Sequence, residues 1–206
     1  LDWLESNPGK LFHTNTMIAD RKLMLENKSC SSCHYGCYKH EEQGLPSMRK
    51  QHEDRTKVED INAPLKNIQI MLTTDCNLKC VYCGPEFSTT WQKEIEQHGD
   101  YVMDGQSITG NAFSKLWSKM KQKSRGTESR FFKMLLKEIY LAKDIEEISL
   151  LGGEPILNNQ LDQIIDHAQS KKISITTGLG VNDKRLIKIL DLVKNKDIKF
   201  LVSGEA

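Results

Sequence analysis

Three cysteines in the middle of the chain have the spacing of a metal-binding loop. Cys76, Cys80 and Cys83 form a C-x3-C-x2-C sequence. Thiolates are soft ligands that suit zinc and iron–sulfur clusters. A structural zinc site needs a fourth ligand, and the next Cys or His after Cys83 is the distant His98. On a four-iron cluster, three cysteines leave one iron free to take an exogenous amine and carboxylate. The spacing therefore favours an open-sided [4Fe–4S] cluster over zinc.

A pair of glycines at the end of a predicted strand is a second candidate for ligand binding. The segment Gly152-Gly153-Glu154-Pro155 follows a short apolar run. Paired glycines let a ligand approach the backbone closely, and exposed backbone together with the Glu154 carboxylate can receive an ammonium group. The same composition is common in plain turns, so its significance depends on where it lies relative to the cysteines.

Four short runs of apolar or alternating residues predict strands. The spacing between the last three strands is about 26 residues, the length of one strand plus a crossover helix. Alternation of strand and helix predicts an α/β fold with a parallel sheet, either open or rolled into a barrel. The predicted strands are Ile68–Leu72, Glu147–Leu151, Lys172–Thr176 and Lys199–Val202.

Amphipathic segments around these strands predict helices. One helix is predicted over Phe131–Lys143, and another is expected around Ala112–Lys121 within an otherwise unassigned insertion. Two further helices have apolar residues at the i, i+3, i+4, i+7 spacing. Asn158 is the predicted cap of the first, and the second follows Asn182. Their apolar stripes are Leu161, Ile164, Ile165 and Ala168, and Leu186, Ile189, Leu190 and Val193.

The order of the two motifs along the chain predicts that they meet. In a parallel α/β barrel, the loops that follow the strands share one face. The cysteine motif follows the first strand and the glycine pair follows the second. We therefore expect the two segments to converge at that face.

These two motifs together resemble the radical S-adenosylmethionine (radical SAM) superfamily, over roughly residues 65–206. The C-x3-C-x2-C sequence with Tyr82 directly before its last cysteine carries the resemblance, together with Gly-Gly-Glu-Pro. The resemblance implies a partial parallel (β/α) barrel of the radical SAM type. About four of the six strands usual in that fold are expected here, so the core is expected to be truncated at the C-terminus. It also implies that Cys76, Cys80 and Cys83 hold a [4Fe–4S] cluster whose free iron chelates the methionine moiety of S-adenosylmethionine.

The resemblance further implies a set of cofactor contacts. The Gly-Gly-Glu-Pro segment is expected to bind the cofactor amino group, and backbone at Tyr82 to meet the adenine. Thr177 stands where the family has Asn after the third strand, and Ser203 resembles a serine that contacts the cofactor after the fourth. The expected cofactor-binding residues are Tyr82, Gly152, Gly153, Glu154, Pro155, Thr177, Ser203 and Glu205. No catalytic residue is expected beyond the cluster ligands.

A second cysteine triplet lies in the polar N-terminal segment, residues 1–62, ahead of the radical SAM core expected over residues 63–206. Cys30, Cys33 and Cys37 have His34 and His40 nearby. A second iron–sulfur cluster, a zinc site and no metal at all are the alternatives, although the spacing is not that of a standard zinc finger.

Both triplets are similar to those of radical SAM members with a twitch or SPASM-type auxiliary cluster. This similarity favours an auxiliary cluster at the first triplet over zinc. It rests on the sequence around each triplet: Glu41, Glu42, Gly44, Ser47 and Arg49 after the first, and Gly84, Pro85, Ser88, Thr89, Thr90 and Trp91 after the second.

The resemblance implies an enzyme. A reduced cluster passes one electron to S-adenosylmethionine, which cleaves to methionine and a 5′-deoxyadenosyl radical that takes hydrogen from a substrate. A peptide or protein side chain is the expected substrate, and a flavodoxin or ferredoxin is the expected electron donor. The alternative hypothesis is a zinc-stabilised, metal-binding interaction protein without catalysis.

Composition and charge argue against nucleic acid and membranes as partners. A formal net charge of +1 gives no electrostatic case for nucleic acid or an acidic membrane surface. No apolar run approaches the ~20 residues that span a bilayer, and the N-terminus does not resemble a signal peptide. Clustered cysteines without an export signal are typical of metal ligands in a reducing compartment rather than disulfides, so a cytoplasmic protein is expected.

Overall fold

The chain divides into two compact units, Asp2–Leu65 and Lys66–Ala206. The computed structural model describes residues 2–30, 37–47, 50–51, 60–85, 87–103, 106–107, 130–168 and 171–204. In these ranges, no helix is both long enough and apolar enough to cross a lipid bilayer.

The described part of the N-terminal unit consists of short helices. Thr14 caps the longest by accepting a hydrogen bond from the Met17 amide. The last ends in a Schellman motif, in which Gly44 has φ +71° and the Leu45 amide donates to the His40 carbonyl at 2.8 Å. The helices are α1 (Asp2–Ser6), a 3₁₀ helix (Leu11–His13), α2 (Asn15–Leu25) and α3 (Cys37–Glu42).

A four-stranded, all-parallel sheet forms the centre of the C-terminal unit. Its strands are β1 (Asn67–Met71), β4 (Glu147–Leu151), β5 (Lys172–Thr177) and β6 (Ile198–Val202), adjacent in that order. A separate antiparallel pair is formed by β2 (Val102–Met103) and β3 (Gln106–Ser107). The helices are α4 (Thr89–His98), α5 over residues 130–141, a 3₁₀ helix (Pro155–Leu157), α6 (Gln160–His167) and α7 (Asp183–Val193).

The predicted α/β fold with a parallel sheet is confirmed, and its topology is consistent with a partial (β/α) barrel. All four predicted strands are present within one residue at each end, and α5, α6 and α7 are the predicted helices. Asn182 is the N-cap of α7. The N-cap of α6 is Asn159, one residue after the predicted Asn158, although the Asn158 side chain accepts from the first amide of α6 at 2.8 Å. Helix α4 was not predicted. The helix expected around 112–121 lies outside the described residues.

The core of this unit consists of alternate residues of the central strands and the apolar faces of the helices. Crossover helices cover a parallel sheet, so the strand residues and the helix residues that meet there are both removed from water. The fully or almost fully buried residues include Ile148, Leu150, Ile173, Ile175, Ile139, Leu161, Ile164, Ile165 and Ile189. The predicted stripe of α6 is thus confirmed as its core-facing side.

Shortening a side chain of this core is expected to lower the free energy of unfolding more where the side chain is more deeply buried. Ile164→Ala should lower the free energy of unfolding by about 2–5 kcal/mol, since it leaves a cavity between α6 and its neighbours. Ile187→Ala, at a position of α7 that is 58% exposed, is the matched control and should change it by less than about 0.5 kcal/mol. Urea unfolding followed by circular dichroism measures both, and equal effects would contradict the packing described here.

Candidate functional site

The cysteine loop, residues 72–85, begins at the carboxyl end of β1. Cys76, Cys80 and Cys83 are present as thiols, and each is partly exposed. The amide of Cys83 donates to the Cys80 carbonyl at 3.0 Å and closes a tight turn. Tyr82 lies in this turn with 71% of its surface exposed. The three thiols are therefore carried on one loop that is accessible from solvent.

The loop packs directly against the glycine pair that follows β4. The amides of Gly153 and Glu154 donate to the carbonyls of Thr73 and Asp75 at 2.7 and 2.8 Å. A Cβ on Gly153 would lie 2.5 Å from the Asp75 oxygen. One on Gly152, whose φ is +122°, would lie 2.5 Å from the Thr73 oxygen. The predicted convergence is confirmed, and the glycines are needed because backbone meets backbone there.

The cysteine loop also contacts the turn that follows β5. The Asn77 side-chain amide donates to the Gly180 carbonyl at 2.5 Å. A Cβ on Gly178 would meet the Leu78 side chain, and one on Gly180 would meet Asn77. Three strand-end loops therefore meet at one edge of the sheet.

Glu154 is buried among these loops and links two of them. Its Oε1 accepts hydrogen bonds from the Thr177 hydroxyl at 2.6 Å and the Ile156 amide at 3.2 Å. Its Oε2 accepts from the Gly178 amide at 2.9 Å. Thr177, where the resembled family has Asn, thus contacts the carboxylate. Direct binding of a cofactor amino group by Glu154 stays a prediction.

The other residues expected to bind the cofactor differ in how far they are buried. Pro155 is buried as the first residue of its 3₁₀ helix. Ser203 is exposed, and its amide donates to the Thr177 carbonyl at 3.0 Å. Glu205 lies outside the described residues. The structure therefore brings together Glu154, Thr177 and Ser203 at the ends of adjacent strands.

Helix α4, which sequence reasoning missed, begins against the cysteine loop. Ser88 is its N-cap and is fully buried, accepting from the Trp91 amide at 3.3 Å. The Ser88 hydroxyl also donates to the Leu78 carbonyl at 2.9 Å. The signal was the run of hydroxyl residues after the cysteines, which is typical of a helix start.

Side chains of the next three residues reach the backbone of two cysteines. The hydroxyls of Thr89 and Thr90 lie 3.1 and 2.5 Å from the Cys76 carbonyl. The Trp91 indole N–H donates to the Cys80 carbonyl at 3.1 Å. The cysteine loop is thus held from the sheet on one side and from α4 on another.

The first cysteine triplet lies partly outside the described residues. Cys30 is buried, Cys37 is the first residue of α3 and is half-buried, and Cys33 falls in the undescribed range. After them, the Ser47 hydroxyl donates to Glu41 at 2.5 Å. A metal or cluster on this triplet stays a prediction.

The second triplet supplies donors of the chemical type that iron–sulfur clusters take. Among the described side chains, no three Cys, His, Asp or Glu groups converge on a position suited to a single metal ion. In a four-iron cluster each cysteine binds a different iron, so its thiolates do not meet at one point. Cys76, Cys80 and Cys83 supply three soft donors on one partly exposed loop.

Arg185 of α7 fixes the segment that follows Glu154. Its guanidinium donates to the carbonyls of Ile156 and Asn158 at 2.7 and 2.9 Å. It also binds both carboxylate oxygens of Asp162 at 2.7 and 3.0 Å, and Lys188 contacts the same carboxylate at 2.6 Å. Burial by itself would raise the pKa of Asp162. The hydrogen bonds and charges of Arg185 and Lys188 outweigh burial and lower that pKa.

Comparison with known proteins gives a distant, partial similarity to a radical SAM enzyme. The chain is 26% identical over 143 residues to the GTP 3′,8-cyclase of Aquifex aeolicus (strain VF5). The match covers 65% of this chain and 33% of the cyclase, so the chain spans about a third of that protein's length. No protein-family profile and no solved structure matches the chain. The similarity suggests radical SAM chemistry at the level of the superfamily.

Replacing Gly153 is expected to separate the cysteine loop from β4. Gly153→Ala places a methyl group against the Asp75 backbone and should cost about 1–3 kcal/mol of stability. Thiol alkylation of Cys76 and Cys80 should become faster as the loop moves away. Gly204→Ala, where a Cβ has nothing within 4 Å, is the control. Unchanged unfolding and alkylation in Gly153→Ala would contradict the backbone contact.

The lowered pKa of Asp162 makes part of the stability depend on pH. In the folded chain this pKa lies below the unfolded value of about 3.9, so its contribution is present above that pH and is lost as pH falls through the folded pKa. Asp162→Asn should cost about 1–3 kcal/mol at pH 7, and the difference from wild type should shrink in acid. Urea unfolding from pH 7 to 3 measures this, with the exposed Asp191→Asn as control. A difference that stays constant with pH would contradict the assignment.

Proposed function

We propose that this chain carries the cluster-binding and cofactor-binding core of a radical SAM enzyme. The observation that carries the proposal is the backbone contact between the C-x3-C-x2-C loop and Gly152-Gly153 at adjacent strand ends. The distant similarity to a radical SAM cyclase supports it independently of any contact.

Cys76, Cys80 and Cys83 would hold a [4Fe–4S] cluster with one iron left for the cofactor. Their loop is accessible, and its backbone is fixed at several points by the sheet and by α4. When bound, the cluster supplies the electron that cleaves S-adenosylmethionine to methionine and a 5′-deoxyadenosyl radical able to abstract hydrogen.

The residues around this loop would bind S-adenosylmethionine. The exposed Tyr82 backbone would meet the adenine, and the Gly152–Pro155 segment would receive the amino group. Because the Glu154 carboxylate already accepts three hydrogen bonds from the chain, its side chain would act mainly by shaping the segment. Thr177, Ser203 and Glu205 would complete the site from the neighbouring strand ends.

The remaining assignments rest on the resemblance of the sequence. Cys30, Cys33 and Cys37 would hold an auxiliary cluster or zinc, as in twitch or SPASM-type members. The substrate would be a peptide or protein side chain, and the electron donor a flavodoxin or ferredoxin, in a cytoplasmic setting.

Anaerobic reconstitution with iron and sulfide tests the proposal. The protein should turn brown, bind about four iron and four sulfide per cluster, and release 5′-deoxyadenosine from S-adenosylmethionine when reduced with dithionite. Cys80→Ala removes one of the three cluster ligands and should lower that release by more than about a hundredfold.

Val81→Ala is the matched control, because this neighbouring side chain is 88% exposed and supplies no metal donor. It should retain the iron and the cleavage of the wild type. A colourless protein that binds zinc and releases no 5′-deoxyadenosine would refute the proposal and favour a zinc-stabilised interaction protein.

A further inference from the structure

We infer that the first turn of α4, centred on Trp91, is a positioning device for the cluster ligands. The inference rests on the proposed function, because it assigns a task to residues that surround the proposed cluster loop. Residues 88–91 each have a hydrogen bond to the cysteine loop. None of them is itself a metal donor of the proposed cluster.

Trp91 acts on the turn that separates two of the ligands. The Cys80 carbonyl accepts two hydrogen bonds, from the Cys83 amide at 3.0 Å and from the Trp91 indole at 3.1 Å. The first closes the turn between the two cysteines, and the second anchors that turn to α4. The indole therefore limits how far Cys80 and Cys83 can move relative to the helix.

The third ligand is held by the hydroxyl residues of the same turn. The Cys76 amide donates to the Thr89 hydroxyl oxygen at 3.1 Å, and its carbonyl accepts from Thr90 at 2.5 Å. The Thr89 amide donates to the Thr74 carbonyl at 2.9 Å. Both sides of Cys76 are thus tied to α4.

The Trp91 ring is itself fixed by a closed set of contacts. It packs edge-to-face on Tyr101, with ring centroids 5.5 Å apart and planes at 86°. The Tyr101 hydroxyl donates to Glu94 at 2.9 Å, and Glu94 binds Lys79 at 2.7 Å. Lys79 belongs to the cysteine loop. The chain of contacts from the Cys80 carbonyl through Trp91, Tyr101 and Glu94 therefore returns to the same loop.

Such contacts set how firmly a loop keeps its ligands in place. Partners that orient the first ligands are a general requirement of metal sites, and their loss weakens metal retention. Loss of one hydrogen bond changes an equilibrium by about two- to tenfold, from the net contribution of such bonds. Removing the indole donor should therefore loosen the cluster without removing any ligand.

The test compares Trp91→Phe with wild type in the full reconstituted chain. Trp91→Phe keeps an aromatic ring but removes the N–H donor, and Trp3→Phe in the N-terminal unit is the matched control. We expect iron to pass to a chelator about two- to tenfold faster from Trp91→Phe. Its reduced cluster should give an altered electron paramagnetic resonance spectrum, while Trp3→Phe should match wild type in both.

A second variant keeps the test decisive if Trp91→Phe does not fold. Thr90→Val is nearly isosteric and removes only the hydroxyl donor to Cys76, and it should also release iron faster. Thermal unfolding of each variant separates local loosening, with an unchanged midpoint, from general destabilisation.

The outcomes distinguish the two proposals. A wild-type protein that takes up no cluster refutes both the proposed function and this inference. A wild type that takes up a cluster, together with variants that release iron at its rate and share its spectrum, refutes the positioning role alone. Iron release that follows only a lowered midpoint of unfolding also overturns it.

Discussion

The candidate site depends on a contact between backbone and backbone. The end of β4 and the loop after β1 approach so closely that a Cβ at either Gly152 or Gly153 would lie 2.5 Å from a carbonyl oxygen. Only glycine permits this approach, and at Gly152 it also supplies the required positive φ. Without this contact the cysteine loop would lose its attachment to β4 and would keep those to the turn after β5 and to α4. The position of the three thiols therefore depends in part on two glycines that lie more than 65 residues away along the chain.

A buried carboxylate stabilises the same edge of the sheet. Removing a carboxylate from water is costly unless hydrogen-bond donors replace the water. Glu154 receives three such donors, from the Thr177 hydroxyl and from two backbone amides. Arg185 fixes the carbonyls of the next turn and pairs with Asp162, which lies on α6. Hydrogen-bonded polar groups of this kind, with Glu154 buried and the Arg185–Asp162 pair half-buried, give a loop one conformation instead of several. This explains how a segment rich in glycine can form a defined surface.

The parallel sheet and α4 have different tasks at the site. A parallel arrangement brings every strand-end loop to one edge, which is where open α/β folds bind their ligands. The sheet thereby positions the Gly-Gly-Glu-Pro segment, Thr177 and Ser203 next to one another. Helix α4 lies outside the sheet and contacts only the cysteine loop among these segments in the bonds described above. A site for a cluster and a cofactor would need both the sheet and α4. The cluster would be bound by the cysteine side chains, whose loop α4 holds, and the cofactor would be bound by backbone groups at the strand ends.

Local pattern in the sequence was sufficient for the strands, for α5 to α7 and for the cysteine motif. Burial of a strand or of one helix face imposes a period that is visible residue by residue, as in Leu161, Ile164 and Ile165. Parallel connectivity then implied that the two motifs meet. The sequence could not give the partners of Glu154, or the contact of Asn77 with Gly180, which lie 103 residues apart. Helix α4 was left unassigned although Ser88, Thr89 and Thr90 give a local signal for its start, and its contacts with the cysteine loop could not be read from the sequence. Such contacts have no period along the chain, since they depend on how separate elements come together in space.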